Sequence, residues 1–488
     1  MRYNPAGFAS LRQFDRLMGL AAIHVNRCTD KQTPMSMFHS SSAAETGSAF
    51  RYGFVAVALA MLMSSRLVAD DWPQWLGPRR DSVWRESGLI ASIPKTGLPV
   101  LWRVPIAGGY SGPAVAGNRV FVTDFVRESG ELANNPGGRN ELTGKERVLC
   151  LDAATGQELW QYAYDCSYNI SYASGPRATP TVQDGRVFVL GAMGNFAALD
   201  AETGRVLWTK DFKQDYQAPT PIWGFCGHPL VVEDTVYALV GGEGSVAVAF
   251  NAETGEEKWR ALSAKDQGYC PPTLIEAGGV RQLLVWHAES LNSLNPQTGE
   301  SYWSVPLEPD FGMSICVPRL EGDLLFASGI RNVGAVLRLA TDRPAADVLW
   351  RGDTTTGVYC ANSTPVIDGG VVYGTDCNSG GLRAVELESG ERLWETFEPT
   401  TGDRRASHGT AFLVQHQDLY YLFNEKGDLI QARLSRDGYQ ELGRFHVLDP
   451  TNEAFGRPVV WSHPAFANRC LFARNDRELV CVSLAAGQ

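Results

Sequence analysis

The 488-residue sequence predicts an all-β protein, an eight-bladed β-propeller of four-stranded antiparallel blades, and three observations carry that prediction. First, tryptophans recur 44 to 58 residues apart at Trp102, Trp160, Trp208, Trp259, Trp303, Trp350 and Trp394, most of them closing a D/N-A-x-T-G-x-x-x-W segment. Second, each of these segments is followed by one of the form P-x-V-x-x-G-x-V-Y/F-V. Third, 50 glycines and 26 prolines punctuate short Val, Leu, Phe and Tyr runs, and no long 3.6-residue periodicity appears after residue 70. A period near 45 to 50 residues marks units that bury their faces only by stacking on neighbours.

The best copies run Asp152–Trp160, Asp200–Trp208, Asn251–Trp259 and Asn295–Trp303, and a fifth, Glu386–Trp394, keeps Ser389-Gly390 and the Trp. In each, a β run reaches a turn whose Asp or Asn can bond its own backbone and whose Gly supplies positive φ. A second β run leaves through the Trp, so each copy is a hairpin. Inner strands are expected to begin at Pro113, Pro180, Pro229, Pro272, Pro318 and Pro365, near Ala411, and at Pro464. An eighth, eroded outer strand over Gly438–Leu442 is expected to place Leu442 where Trp stands elsewhere. Trp102 precedes the first inner strand, and the last blade reaches the C-terminus with no Trp strand of its own. Pairing the Trp102 strand with that last blade closes the ring and leaves no open edge there. The expected organisation is a leader over 1–69, an N-terminal strap over 70–98 and the propeller over 99–484.

A formal net charge of −11 argues against nucleic acid as a partner, because phosphate recognition calls for a basic stripe. Arg51 precedes a 12-residue apolar run, Tyr52–Met63, followed by Ser64-Ser-Arg-Leu-Val-Ala69. The run is too short to span a bilayer and reads as a signal peptide, with Met35 or Met37 a plausible start and an uncleaved anchor the alternative. The protein is therefore expected to be exported, periplasmic or at the cell envelope, with no membrane span in the mature chain, and to be a monomer.

The repeat is similar to that of the PQQ-like (pyrrolo-quinoline quinone repeat) β-propellers, which include eight-bladed quinoprotein dehydrogenases and the propeller lipoprotein of the outer-membrane β-barrel assembly machine. Trp72-Pro-Gln-Trp75-Leu-Gly-Pro78, Asn424-Glu-Lys-Gly-Asp428 and Trp461-Ser-His-Pro-Ala-Phe-Ala-Asn468 look like the secreted, BamB-like repeat proteins of planctomycete-type bacteria. The resemblance covers residues 70 to 484. It implies that all seven tryptophans are structural and pack between blades. For the quinoprotein branch it also implies PQQ with calcium, a carboxylate base and often a disulfide between adjacent cysteines. No two cysteines are adjacent here, no Glu…Asn…Asp set aligns, and no acidic loop cluster offers the six to eight oxygens calcium takes. The expectation is no cofactor, with a periplasmic PQQ-dependent oxidoreductase as the alternative.

Asp310-Phe-Gly312 spells a kinase tripeptide without the loops that give it meaning, and no G-x-S-x-G or H-E-x-x-H occurs. Function then falls to the residues just before each inner strand, which line the mouth of a propeller's channel. The candidates are Tyr110, Arg177, Trp223, His228, Tyr269, Asn362, His408, Trp461 and His463. Rings and imidazoles of this kind either line a binding pocket or plug a narrow channel. Cys226, Cys270, Cys316 and Cys360 occupy similar places in four consecutive blades, an arc that would suit a soft metal but more often packs as small hydrophobes. The expected function is a non-catalytic exported propeller that binds a protein or small-molecule ligand at its funnel or rim loops.

Overall fold

The computed structural model describes residues 70–487, and the expected leader over 1–69 lies outside them. The described residues form eight four-stranded antiparallel sheets. Blades 1 to 7 occupy residues 114–170, 181–211, 230–261, 273–306, 319–351, 366–396 and 411–446 in chain order. Blade 8 joins Ala465–Ala467, Cys470–Arg474 and Glu478–Ser483 to Val100–Pro105, with Trp102 opposite Cys481 and Val104 opposite Leu479. The ring is thus closed by its two ends. Helix is confined, among the described residues, to one turn at Phe212–Asp215 and a 3₁₀ turn at Asp310–Gly312. Most inner strands are three residues long, as crowding around the axis requires.

The repeated signature is one half of an inter-blade contact. In blade 1, Asp152 Oδ1 accepts from the amides of Ala154 and Thr155 and from the Thr155 hydroxyl, which sets the turn. Gly156 follows at φ 73°. The outer strand then carries a one-residue bulge that brings Trp160 opposite Cys150. Trp160 does not rest on its own turn but on the next blade's: a Cβ at Gly204 would lie 2.5 Å from the Trp160 ring. The indole Nε1 also donates to Ala201 O at 3.2 Å. Trp208 repeats this on blade 3, where Nε1 donates to Ala252 O at 3.1 Å and a Cβ at Gly255 would come within 2.7 Å of the ring. Trp102 makes the same contact from blade 8 onto Gly156 and Ala153 of blade 1. Gly is required because the Trp face occupies the space of its side chain. Trp303 departs from the pattern. The turn of blade 5, Ala340-Thr-Asp-Arg-Pro-Ala345, has no Thr-Gly, and Trp303 Nε1 donates to Gln282 Oε1 of its own blade at 2.9 Å.

Blade 7 corrects one expectation. Its outer strand pairs Gly443 with Gln431 and Glu441 with Ala432, so Leu442 is the bulge residue and Gly443 holds the Trp position. The strap fills the vacated space: a Cβ at Gly443 would meet Ile93 O at 2.8 Å and Ile93 Cβ at 3.0 Å. Gln431 Oε1 accepts from the Ile93 amide at 3.1 Å and fixes the strap there.

The strap also crosses the propeller. Trp72 and Val115 exchange backbone bonds on blade 1, and Val182 of blade 2 donates to Pro73 O. Arg80 Nη1 reaches Pro229 O at 2.9 Å on blade 3, and Arg319 of blade 5 donates to Arg80 O and Asp81 O. Trp84 N bonds Gln415 O on blade 7, and Ile90 N bonds Leu484 O on blade 8. Residues 72–90 therefore run beneath the inner strands from one side of the ring to the other.

Candidate functional site

A cavity of about 780 Å³ opens on the face opposite this crossing, within the range that takes a small organic ligand. The segment leading into the inner strand of every blade contributes to it: Gly112, Thr179, His228, Pro271, Ile315, Asn362, His408 and His463 stand for blades 1 to 8. Such a lining places the cavity on the propeller axis.

All nine residues expected at the mouth lie on this cavity: Tyr110, Arg177, Trp223, His228, Tyr269, Asn362, His408, Trp461 and His463. They do not plug the channel. Trp75 does, supplied from below by the strap. Its ring stacks on His228 at 4.5 Å and 12°, and meets His463 edge-on at 6.3 Å. Arg80 sits 5.9 Å from the centre of the same ring. The cavity is consequently a floored cup. His228 Nδ1 accepts the Thr179 amide at 2.7 Å, so the proton of the neutral ring resides on Nε2. His463 Nδ1 bonds Pro464 O at 2.8 Å. Burial, aided by Arg80, holds His228 well below the usual imidazole range, and burial brings His463 down to about 4. Burial first, then Arg457 and Arg331, lowers His408 to about 4. At neutral pH the cup therefore has uncharged imidazoles.

The walls are aromatic. Trp223 packs on Tyr269 at 5.5 Å, Tyr172 on Trp461 at 5.8 Å, and the Arg177 guanidinium lies 5.2 Å from the Tyr110 ring centre. Two phenylalanines absent from the sequence-based set, Phe311 and Phe455, stand at the rim with 65% and 46% of their surface exposed. Phe455 caps a two-stranded hairpin, Asn452–Ala454 with Arg457–Val459, and stacks flat on His408 at 4.7 Å and 3°. Phe311 lies in the Asp310–Gly312 turn with Arg331 over its ring at 5.2 Å. Tyr172, Phe311, Arg331, His408 and Phe455 all line the cavity with φ between 50° and 59°. That left-handed backbone costs a non-glycine residue about 1–3 kcal/mol, and such strain gathers at functional sites.

Four polar atoms of lining residues are buried with no hydrogen-bond partner: Tyr172 Oη, Thr179 Oγ1, Tyr269 Oη and Asn362 Nδ2. Burying them unsatisfied costs about 1–3 kcal/mol each. No aspartate or glutamate is among the cavity's lining residues. Glu425 lies behind Trp461, ion-paired to Arg457 at 2.7 Å. The residues present do not fit a calcium-bound quinone, which needs carboxylate oxygens beside the ring. Of the four cysteines, Cys226 borders the cavity, whereas Cys270, Cys316 and Cys360 are buried in the packed core. Cys316 Sγ approaches Ser363 O at 3.0 Å, and burial raises the Cys226 thiol to about 11. Among the described residues, no three His, Cys, Asp or Glu side chains are placed to hold a metal.

A family model described as outer membrane protein assembly factor BamB matches residues 144–396 and 287–488, well over half of the chain. The chain belongs to this family of PQQ-like repeat propellers. As such a propeller it is 26% identical over 280 residues to the outer membrane protein assembly factor BamB of Moranella endobia, covering 54% of this chain and 68% of that one. It is also 26% identical over 276 residues to a polyvinylalcohol dehydrogenase of a Pseudomonas species, a match that spans only 42% of that relative. The crystal structure of BamB from Moraxella catarrhalis superimposes with a TM-score of 0.51 at 14% identity, covering 79% of this chain and 97% of that one, a likeness of fold.

Proposed function

We propose that this chain is a non-catalytic, exported PQQ-like propeller that holds a ligand in its axial cup and serves as a binding module or scaffold of the cell envelope. One observation carries the reading: all eight blades send residues into a single floored cavity whose walls keep four polar atoms buried without partners. The strained rings at the rim and the neutral imidazoles at the floor suit a preorganised binding surface. The envelope setting is supported by the leader-like run before residue 70 and by relatives named for outer membrane protein assembly. No helix of the described residues is long and apolar enough to cross a membrane.

The likeness to quinone-dependent dehydrogenases supplies the rival reading. A cup without a carboxylate offers neither a carboxylate base nor an oxygen cage for calcium. The test is calorimetric titration of the purified protein with PQQ and calcium, alongside dye-linked oxidation of primary alcohols and of polyvinyl alcohol. No dye reduction and no calcium-dependent heat are expected; turnover restored by PQQ plus calcium would sink the non-catalytic reading.

A further inference from the structure

The proposal that follows rests on the cup being a ligand site, and identifies the chemistry of what fills it. The polar groups left without partners there are three hydroxyls, on Tyr172, Thr179 and Tyr269, and one amide NH₂, on Asn362. Each can donate a hydrogen bond. Tyr172, Thr179 and Tyr269 are 8%, 2% and 3% exposed, so bulk water does not serve them.

Charge points the same way. The protein carries a formal net charge of −11, yet the charged side chains among the cup's lining residues are Arg177 and Arg331, the latter paired with Asp310 at 3.3 Å. Arg177 lines it and spends its hydrogen bonds on the carbonyls of Gly175, Ser171 and Tyr172, with no carboxylate among these partners. Beneath the floor, buried Arg80 bonds Pro229 O and His228 O, again carbonyls. Arg319 below it bonds Arg80 O and Asp81 O. Burial lowers Arg80 and Arg319 only to about 10, which leaves both charged at neutral pH. Carbonyl dipoles hold these guanidinium groups in place; Glu146 lies in the field of Arg177 and Asp81 in that of Arg319, neither as a side-chain hydrogen-bond partner. In a site with apolar walls and little water, charge acts over a long range. The remaining lining surface is mostly apolar, with the rings of Trp75, Trp223, Phe311, Phe455 and Trp461 among it.

We infer that the cup binds an organic anion, a carboxylate, sulfonate or phosphate carried on a flat apolar body. The anionic oxygens accept from the unpartnered hydroxyls and amide in the field of Arg177 and Arg80, the body lies among the rings over Trp75, and no metal ion takes part.

Two fluorescent probes of nearly the same body separate charge from apolar burial: anionic 8-anilinonaphthalene-1-sulfonate and uncharged N-phenyl-1-naphthylamine. Each is titrated into the protein with excess EDTA present, and into the variant Tyr172→Phe/Tyr269→Phe. The anion is expected to bind at least tenfold tighter than the neutral probe, with EDTA without effect. The variant is expected to lose about tenfold for the anion alone, while its melting temperature stays level or rises, since the deleted hydroxyls had no partner. Equal or tighter binding of the neutral probe, an EDTA-sensitive anion, or a variant that weakens both probes alike would overturn the anion assignment and leave the cup as a ligand site. Binding of neither probe would overturn the ligand-site reading together with it.

Discussion

At the scale of single residues, the cup shows how position decides chemistry. His463 stands before an inner-strand proline and so faces the axis, where Trp75 and Phe412 pack on it and leave it 8% exposed. Its imidazole is driven to about 4 by burial, against a bond to Pro464 O that favours the charged form. The consequence for stability has a definite sign. Above the unfolded-state value of 6.5 the ring is neutral in both states, and the stabilisation is fully present. As pH falls, the unfolded chain takes up the proton first, so stability is lost between about 6.5 and about 4. Replacing His463 by Phe removes this linkage. Urea unfolding at pH 7 and at pH 5 should show the variant losing roughly 2 kcal/mol less than the wild type over that interval. Equal losses would contradict the neutral, buried imidazole. The nine mouth residues were legible in the sequence because they precede the repeated start of an inner strand, a proline in every blade but the seventh. Trp75, Phe311 and Phe455 were not, because the strap and the rim turns lie outside the repeat and carry no period.

At the scale of elements, the turn and the tryptophan are parts of one contact between neighbours. The sequence shows them together in one hairpin, yet Trp208 rests on Gly255 of the next blade and Trp160 on Gly204. Periodicity reveals that both are needed but cannot say that they belong to different sheets. Trp208 is 8% exposed and packs against Phe188, Phe196 and Phe250, the last of these across the blade boundary. Trp208→Ala is expected to cost about 3–5 kcal/mol in urea unfolding. A variant with wild-type stability would show that the blade interface does not depend on this ring. The turn explains the misplaced Leu442. A one-residue bulge precedes each Trp, and in blade 7 the residue after it is Gly443, whose missing side chain is replaced by Ile93 of the strap. In that blade Ser435 pairs with Gly438 around a two-residue turn, so Gly438 is a strand residue and not the turn glycine of the other copies, and a count of four from it stops one residue short.

For the whole molecule, the count of eight and the closure by the Trp102 strand were legible because repeats and ends had to balance. What the strap does was not. The segment expected as an N-terminal strap crosses under the ring and floors its channel with Trp75, turning a passage into a cup. The strap, the strained rim and the unpartnered donors come together on one cavity. As a binding module, the protein should carry an occupant of the cup in the cell. Native mass spectrometry of the protein recovered from its own envelope fraction, compared with Trp461→Ala/Tyr269→Ala prepared identically, tests this most directly. The account predicts a non-covalent adduct of small-molecule or peptide mass on the wild type that the variant lacks; an adduct that survives in the variant, or a wild type of bare polypeptide mass under conditions that preserve non-covalent complexes, would contradict it.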